Sequence, residues 1–132
     1  MKKYPVIELI TTCVFVVVLL ISCDDTKNTD LPTIPTTNVS FSEHIQPILN
    51  LNCISSGCHN DQDRAGSLSL TNWANTTASY IIVAPGYPDN SQLVLAVEGK
   101  TSFPMPPTGY QPLTSEQIAG IRTWVKEGAK NN

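Results

Sequence analysis

The chain has few of the residues on which nucleic-acid binding and most catalytic sites depend. Its 132 residues include 8 Lys and Arg against 11 Asp and Glu, and the net charge of −3 leaves no basic surface for a phosphate backbone. It also lacks a glycine-rich phosphate loop, a Ser/His/Asp set and a carboxylate pair with catalytic spacing, which argues against an enzyme. No internal repeat of useful length is present. The length allows a single domain.

The first segment combines a basic start with an apolar run that ends at a cysteine. The run extends from Leu9 to Ile21, which is shorter than the ~20 residues that a transmembrane helix needs. Its length and the small residue at its end predict a secretory signal over 1–22. The following Leu-Ile-Ser-Cys resembles the lipobox of bacterial lipoproteins, which implies that Cys23 is lipidated and begins the mature chain. The alternatives are an ordinary signal or an uncleaved anchor, and each predicts an exported protein.

A polar segment separates this signal from the domain. Residues 23–38 are rich in Thr, Asp and Pro and show no apolar periodicity, which predicts a flexible tether. From Val39 to the end, apolar residues recur at helical spacing between long connections. We therefore expect one domain over 39–132, of the all-α class, with three to four short helices.

Three of these helices have boundary signals. The first is predicted from a cap at Ser40 or Ser42 towards Cys53, and a short one follows a cap at Asn90 or Ser91. The last is the clearest, because the sequence 114–117 matches a capping box and Ile118, Ile121, Trp124 and Val125 form one apolar stripe, with Gly128 as its terminator.

The chemistry is expected at Cys53-Ile54-Ser55-Ser56-Gly57-Cys58-His59. A cysteine pair that ends in Cys-His is the pattern of covalent haem attachment, in which the adjacent imidazole is placed to bind the iron. Four residues separate these cysteines, whereas the common motif has two. The extra residues must bulge outwards, which the two serines and Gly57 allow. The alternatives are a Cys53–Cys58 disulfide, which closes too small a loop to gain much entropy, and a zinc site, which lacks a fourth ligand.

Two further side chains are candidate iron ligands. Met105 is the only methionine besides the initiator, and it lies in a Phe-Pro-Met-Pro-Pro segment whose prolines restrict the loop. The alternative for Met105 is an apolar side chain that fills a gap in the core. His44, the only other histidine, could be a second axial ligand, but a hydrogen-bonded surface position is expected. The aromatic residues Phe41, Trp73, Tyr80 and Trp124 could line a haem crevice or belong to the ordinary core.

A resemblance to a known family extends over residues 39–132, in order. The matching stretches are 39–41, 45–49, 52–59, 66–70, 83–91, 105–107 and 113–124. Through them the domain resembles the small cytochrome c-like domains of exported bacterial proteins, including the planctomycete-type cytochrome c group.

The resemblance implies a cytochrome c-like fold around one covalent haem c. It implies thioether bonds from Cys53 and Cys58, His59 as the proximal iron ligand and Met105 as the distal one. The expected function is one-electron transfer by a membrane-tethered carrier that is not itself an enzyme but exchanges electrons with an unidentified redox partner protein. We expect it on the periplasmic or cell-surface side of a bacterial membrane, held to the lipid bilayer by its N-terminal anchor, with no nucleic-acid partner. The alternative function is a haem-free, disulfide-stapled binding or adaptor module.

Overall fold

The computed structural model describes residues 33–132. The predicted signal over 1–22, the predicted lipidation site Cys23 and the greater part of the tether lie outside this range and stay predictions. In the described part of the chain all regular structure is helical, which confirms the all-α prediction of short helices and long connections. None of the helices in 33–132 has the length and hydropathy needed to cross a bilayer.

Between residues 33 and 132, four α-helices alternate with turns. A π-helical turn over Phe41–Ile45 continues directly into α1, Gln46–Asn52. The others are α2 at Trp73–Thr76, α3 at Gln92–Val97 and α4 at Ser115–Lys126, with 3-10 turns at Ala65–Ser67 and Pro88–Asn90.

The longest helix, α4, has the ends that its sequence predicts. The Thr114 hydroxyl accepts a hydrogen bond from Gln117 N at 3.2 Å, and Gln117 Oε1 accepts one from Thr114 N at 2.9 Å. These bonds satisfy N–H groups that have no partner within the helix. The helix ends at Lys126, Glu127 is its C-cap, and Gly128 follows with a φ of +99°. A left-handed residue at this place stops a helix, and glycine adopts it without strain.

The first helical segment also begins where its cap predicts. The Ser40 hydroxyl accepts a hydrogen bond from Glu43 N at 3.2 Å. Ser40 N in turn donates to His44 Nδ1 at 2.9 Å, so His44 is engaged in the cap of its own helical turn. Pro47 lies in the first turn of α1, where its missing N–H costs nothing.

The core forms where the first segment and α4 pack together. Phe41 and Trp124 stack with ring centroids 5.3 Å apart and planes tilted by 41°. Trp124 is fully buried, and its indole N–H donates to Lys130 O at 2.9 Å. Around this pair lie the other buried apolar side chains, Val39, Ile45, Ile48, Leu49, Leu70, Val83, Leu93, Val94, Val97, Leu113, Ile121, Val125 and Ala129. Each removes apolar surface from water, which is the main force that holds the short helices together.

The segment ahead of the predicted domain boundary is packed against α4. Ile34, inside the range predicted as tether, is half-buried against the core. The Glu127 carboxylate accepts hydrogen bonds from Asn38 N at 2.7 Å and Val39 N at 2.9 Å. The packed part of the chain therefore extends upstream of Val39 at least to Ile34, and flexibility stays a prediction for residues 24–32.

The connection before α3 differs in detail from the sequence prediction. Ser91 does stand at the start of α3, but its hydroxyl makes no cap bond to that helix. It is buried and accepts a hydrogen bond from Ala84 N at 2.8 Å while donating to Tyr87 O at 3.0 Å. The turn ahead of α3 uses the hydroxyl instead, because its own buried backbone groups need partners. At the other end of α3, Arg122 of α4 pairs with Glu98 at 2.8 Å.

Candidate functional site

The segment that contains both cysteines is a closed loop at the end of α1. Cys53 immediately follows α1, and its carbonyl accepts a hydrogen bond from His59 N at 2.9 Å. Within the loop, Cys58 N donates to Ser55 O at 3.0 Å, and Gly57 has a φ of +80°. The left-handed backbone at Gly57 turns the chain back towards Cys58, a conformation that residues with a Cβ rarely adopt. The additional residues thus bulge outwards, as the sequence predicts.

A short polar segment directly after His59 braces this loop. The Asp63 Oδ2 atom accepts hydrogen bonds from Gly57 N at 2.6 Å and from Asn60 Nδ2 at 2.7 Å. Asn60 Nδ2 also donates to Ser55 O at 3.0 Å. The hydrogen bond from Asn60 and, to a smaller extent, the one from Gly57 hold the pKa of Asp63 below its ordinary value. Sequence reasoning did not identify Asn60 and Asp63, and the only signal was an Asn-x-x-Asp turn after the motif.

His59 is half-buried, and one of its ring nitrogens is occupied. Its Nδ1 atom lies 3.0 Å from Ala65 O. A carbonyl oxygen only accepts, so Nδ1 carries the proton and the lone pair is on Nε2. The backbone on both sides is also fixed, because Ala65 N donates to Cys58 O at 3.1 Å and Leu70 N donates to His59 O at 2.8 Å. The imidazole is therefore oriented with its free nitrogen available as a ligand.

Met105 is half-buried in the long connection between α3 and α4. Its backbone N–H donates to Ala96 O at 3.0 Å, which ties the proline-rich segment to α3. Methionine sulfur is a soft, polarisable group and a weak acceptor, which suits it to a transition metal such as iron.

The structure brings the predicted site residues to one cleft. Two adjoining cavities, with empty volumes of about 520 Å³ and 1000 Å³, share Cys53, His59, Ala65, Val97 and Met105 in their walls. Cys58 lines the smaller one, together with Pro106, Pro107 and Tyr110. Leu68, Ile82, Leu93 and Phe103 line the larger one. The walls are mostly apolar with a few placed polar groups, which is the character of small-molecule and cofactor pockets.

The donor set in this cleft fits a haem that is attached through cysteines. Cys53 and Cys58 are free cysteines, and both are half-buried. Burial raises the pKa of Cys53 to about 11, with a smaller contribution from the neighbouring Cys58 sulfur. This thiol therefore stays protonated at neutral pH. An imidazole with a free Nε2 and a thioether line the same apolar walls. Among residues 33–132, no three His, Cys, Asp or Glu side chains form a metal-binding group.

The other candidates lie elsewhere. His44 is absent from the walls of the cleft and is hydrogen-bonded in its helix cap, as expected. Phe41 and Trp124 are core residues, and Trp73 packs against that core with its indole N–H on Ala129 O at 2.8 Å. Tyr80 is exposed. The aromatic side chains that do line the cleft are Phe103 and Tyr110, which sequence reasoning missed because neither belongs to a periodic pattern.

Comparison with known proteins agrees with this geometry. The family model of Planctomycete cytochrome C matches residues 53–109, the stretch that runs from the first cysteine of the motif past Met105. No curated protein and no solved structure matches the chain significantly. A cytochrome c domain implies covalently bound haem c, and the domains of this family are generally exported electron carriers rather than enzymes. The match over residues 53–109 thus supports a cytochrome c-like domain.

Proposed function

We propose that this protein carries single electrons at a membrane surface by means of one haem c. The observation that carries the proposal is that Cys53, Cys58, His59 and Met105 line one largely apolar cleft. The motif brings three of them together in sequence, but Met105 reaches the cleft only through the fold. When bound, haem c supplies an iron that changes its oxidation state by one electron.

Cys53 and Cys58 would form the covalent attachment. Each thiol would add across a vinyl group of the haem: a carbon–sulfur bond would replace the vinyl double bond, and the thiol hydrogen would go to the other vinyl carbon. Atoms and electrons balance in this addition without an oxidant. The closed loop between the two cysteines keeps both thiols on the cleft.

His59 and Met105 would be the axial ligands. The bond from His59 Nδ1 to Ala65 O keeps the proton away from Nε2, so this nitrogen can bind the iron without losing a proton first. The Met105 sulfur would supply the second iron ligand. Coordination by a thioether in place of a second nitrogen favours the reduced iron and raises the potential. The attachment of Met105 N to Ala96 O limits the entropy lost when the sulfur is fixed.

The remaining parts of the proposal concern location and partners. We propose that Cys23 is lipidated and anchors the protein to a bacterial membrane on its periplasmic or cell-surface side, and that the electrons pass to and from a separate redox partner protein. A Cys23→Ser variant tests the anchor. It should leave the membrane fraction and lose the lipid mass, while the haem content is unchanged.

The test of the haem itself is made on the full chain, produced with its signal in a host that has a c-haem maturation system. We expect covalent haem staining on a denaturing gel, a mass increase of one haem, and a reduced spectrum with His/Met bands. A Cys53→Ala/Cys58→Ala variant serves as the control and should be colourless. A colourless wild-type protein with an intact Cys53–Cys58 disulfide would instead support a haem-free adaptor module and end the proposal.

A further inference from the structure

The expanded attachment loop has little to hold it in place except polar contacts. Ser55, Ser56 and Gly57 are all exposed, and only Ile54 packs against the core. A longer loop costs more entropy to close, and glycine adds further freedom. Within the loop a single backbone bond, from Cys58 N to Ser55 O, restrains the chain.

Asn60 and Asp63 supply the missing restraints from outside the loop. The Asp63 carboxylate binds the Gly57 N–H at 2.6 Å, at the residue that turns the chain. Asn60 Nδ2 connects Ser55 O at 3.0 Å with the same carboxylate at 2.7 Å.

The orientation of the Asn60 amide is fixed independently. Its Oδ1 atom accepts hydrogen bonds from Gln62 N and Asp63 N, both at 2.8 Å. These two backbone donors require the oxygen on that side, so the NH₂ group must point towards Ser55 and the carboxylate. The pair therefore forms a connected brace through Asn60 Oδ1, Asn60 Nδ2 and Asp63 Oδ2.

We infer that Asn60 and Asp63 are positioning residues that shape the four-residue loop so that both Cys53 and Cys58 can be attached to one haem. The inference rests on the proposed function and concerns a requirement of the expanded spacing itself. Neither residue lines the cleft, so the two act through the loop and not on the prosthetic group. A loop with the common two-residue spacing lacks the extra residues that this brace holds, so we expect it to form without the brace.

A nearby acidic residue offers a comparison within the same turn. Asp61 accepts hydrogen bonds from Ser69 Oγ at 2.7 Å, Thr71 Oγ1 at 3.0 Å and Asn75 Nδ2 at 3.1 Å. Its contacts lead away from the cysteines, towards α2. Loss of Asp61 thus removes the same charge from the same turn but leaves the loop contacts in place.

The experiment measures how haem is attached to the full chain in Asp63→Ala, Asp63→Asn and Asn60→Ala variants, with Asp61→Ala as the matched control. Mass spectrometry and thiol counting give the fraction of chains with two, one or no thioether bonds. Loss of a net hydrogen bond should lower the ratio of doubly to singly attached haem roughly fivefold in Asp63→Ala. Asp63→Asn keeps an oxygen acceptor, so its ratio of doubly to singly attached haem should be closer to that of the wild type. Asp61→Ala should attach haem as the wild type does.

A shortened loop separates positioning from a general effect on folding. Deletion of Ser55 and Ser56 gives the common spacing, and in this background Asp63→Ala should have no effect on attachment. Two results would overturn the inference: complete double attachment in Asp63→Ala with the native loop, or an equal defect in both loop lengths. A wild-type chain without haem would count against the proposed function, so the two failures are distinguishable. If Asp63→Ala does not accumulate, Asn60→Ala is compared in the two loop lengths by the same criteria.

Discussion

The packing of Ile34 on α4 leads to a prediction about Gly120, which lies in the middle of that helix. Gly120 is buried, and a Cβ atom added there would lie 2.6 Å from Ile34 Cγ2. Carbon atoms in ordinary contact are ~3.5–4.0 Å apart, so Gly120→Ala cannot be accommodated unless Ile34 moves. A β-branched side chain has little rotamer freedom with which to do so.

Two opposing free energies determine the result. Alanine is favoured over glycine within a helix by about 1 kcal/mol. Overpacking of a well-packed site costs about 1–3 kcal/mol. We therefore expect Gly120→Ala to lower the free energy of unfolding by about 0–2 kcal/mol, as the difference of the two. In an Ile34→Ala background the clash is gone, and Gly120→Ala should raise the free energy of unfolding by about 1 kcal/mol.

The assay is equilibrium denaturant unfolding of the haem-loaded protein for the four members of the cycle. The coupling free energy between the two positions should be about 1–3 kcal/mol, equal to the cost of overpacking. Ala119→Gly, at an exposed position of the same helix, calibrates the helix propensity and should cost about 1 kcal/mol. If Gly120→Ala stabilises both backgrounds equally, Ile34 does not pack there and the ordered domain begins further along the chain.

Three further predictions concern the site and the fold. Met105→Ala should leave covalent haem in place but change the reduced spectrum and lower the reduction potential. The control His44→Gln should change neither the spectrum nor the potential. An unaltered Met105→Ala spectrum would mean that this sulfur does not bind iron. Hydrogen bonds lower the pKa of Asp63 in the folded protein. The stabilisation of the loop by Asp63 is therefore complete above the pKa of an unfolded aspartate and is lost as the pH falls through the lower folded pKa. Amide exchange at Gly57 should show this loss, and Asp63→Asn should abolish the pH dependence. Thr114→Ala removes the cap of α4 and should cost about 1 kcal/mol in denaturant unfolding, and a change within error would contradict the role of the capping box.

The helix boundaries could be predicted from the sequence because their causes are local. The Thr114 cap and the Gly128 terminator depend on neighbouring residues alone, and both are found in the structure. The segment proposed as the haem motif is local too, since Cys53, Cys58 and His59 are close in sequence and their spacing requires a bulge. Ser91 stands at the predicted N-cap position of α3, but its hydroxyl makes no cap bond because the buried turn next to it competes for that group.

What the sequence by itself determined was the helical class and the ends of the main helices, because each depends on residues a few positions apart; the proposed attachment motif is local in the same way. Only the tertiary structure decided that Met105 shares a cleft with His59, that Phe103 and Tyr110 line it, and that Ile34 packs against Gly120. These contacts join segments distant in sequence, and the packing of a shared core brings them together. Local sequence patterns do not determine such contacts, since many arrangements of the same helices are compatible with the same patterns.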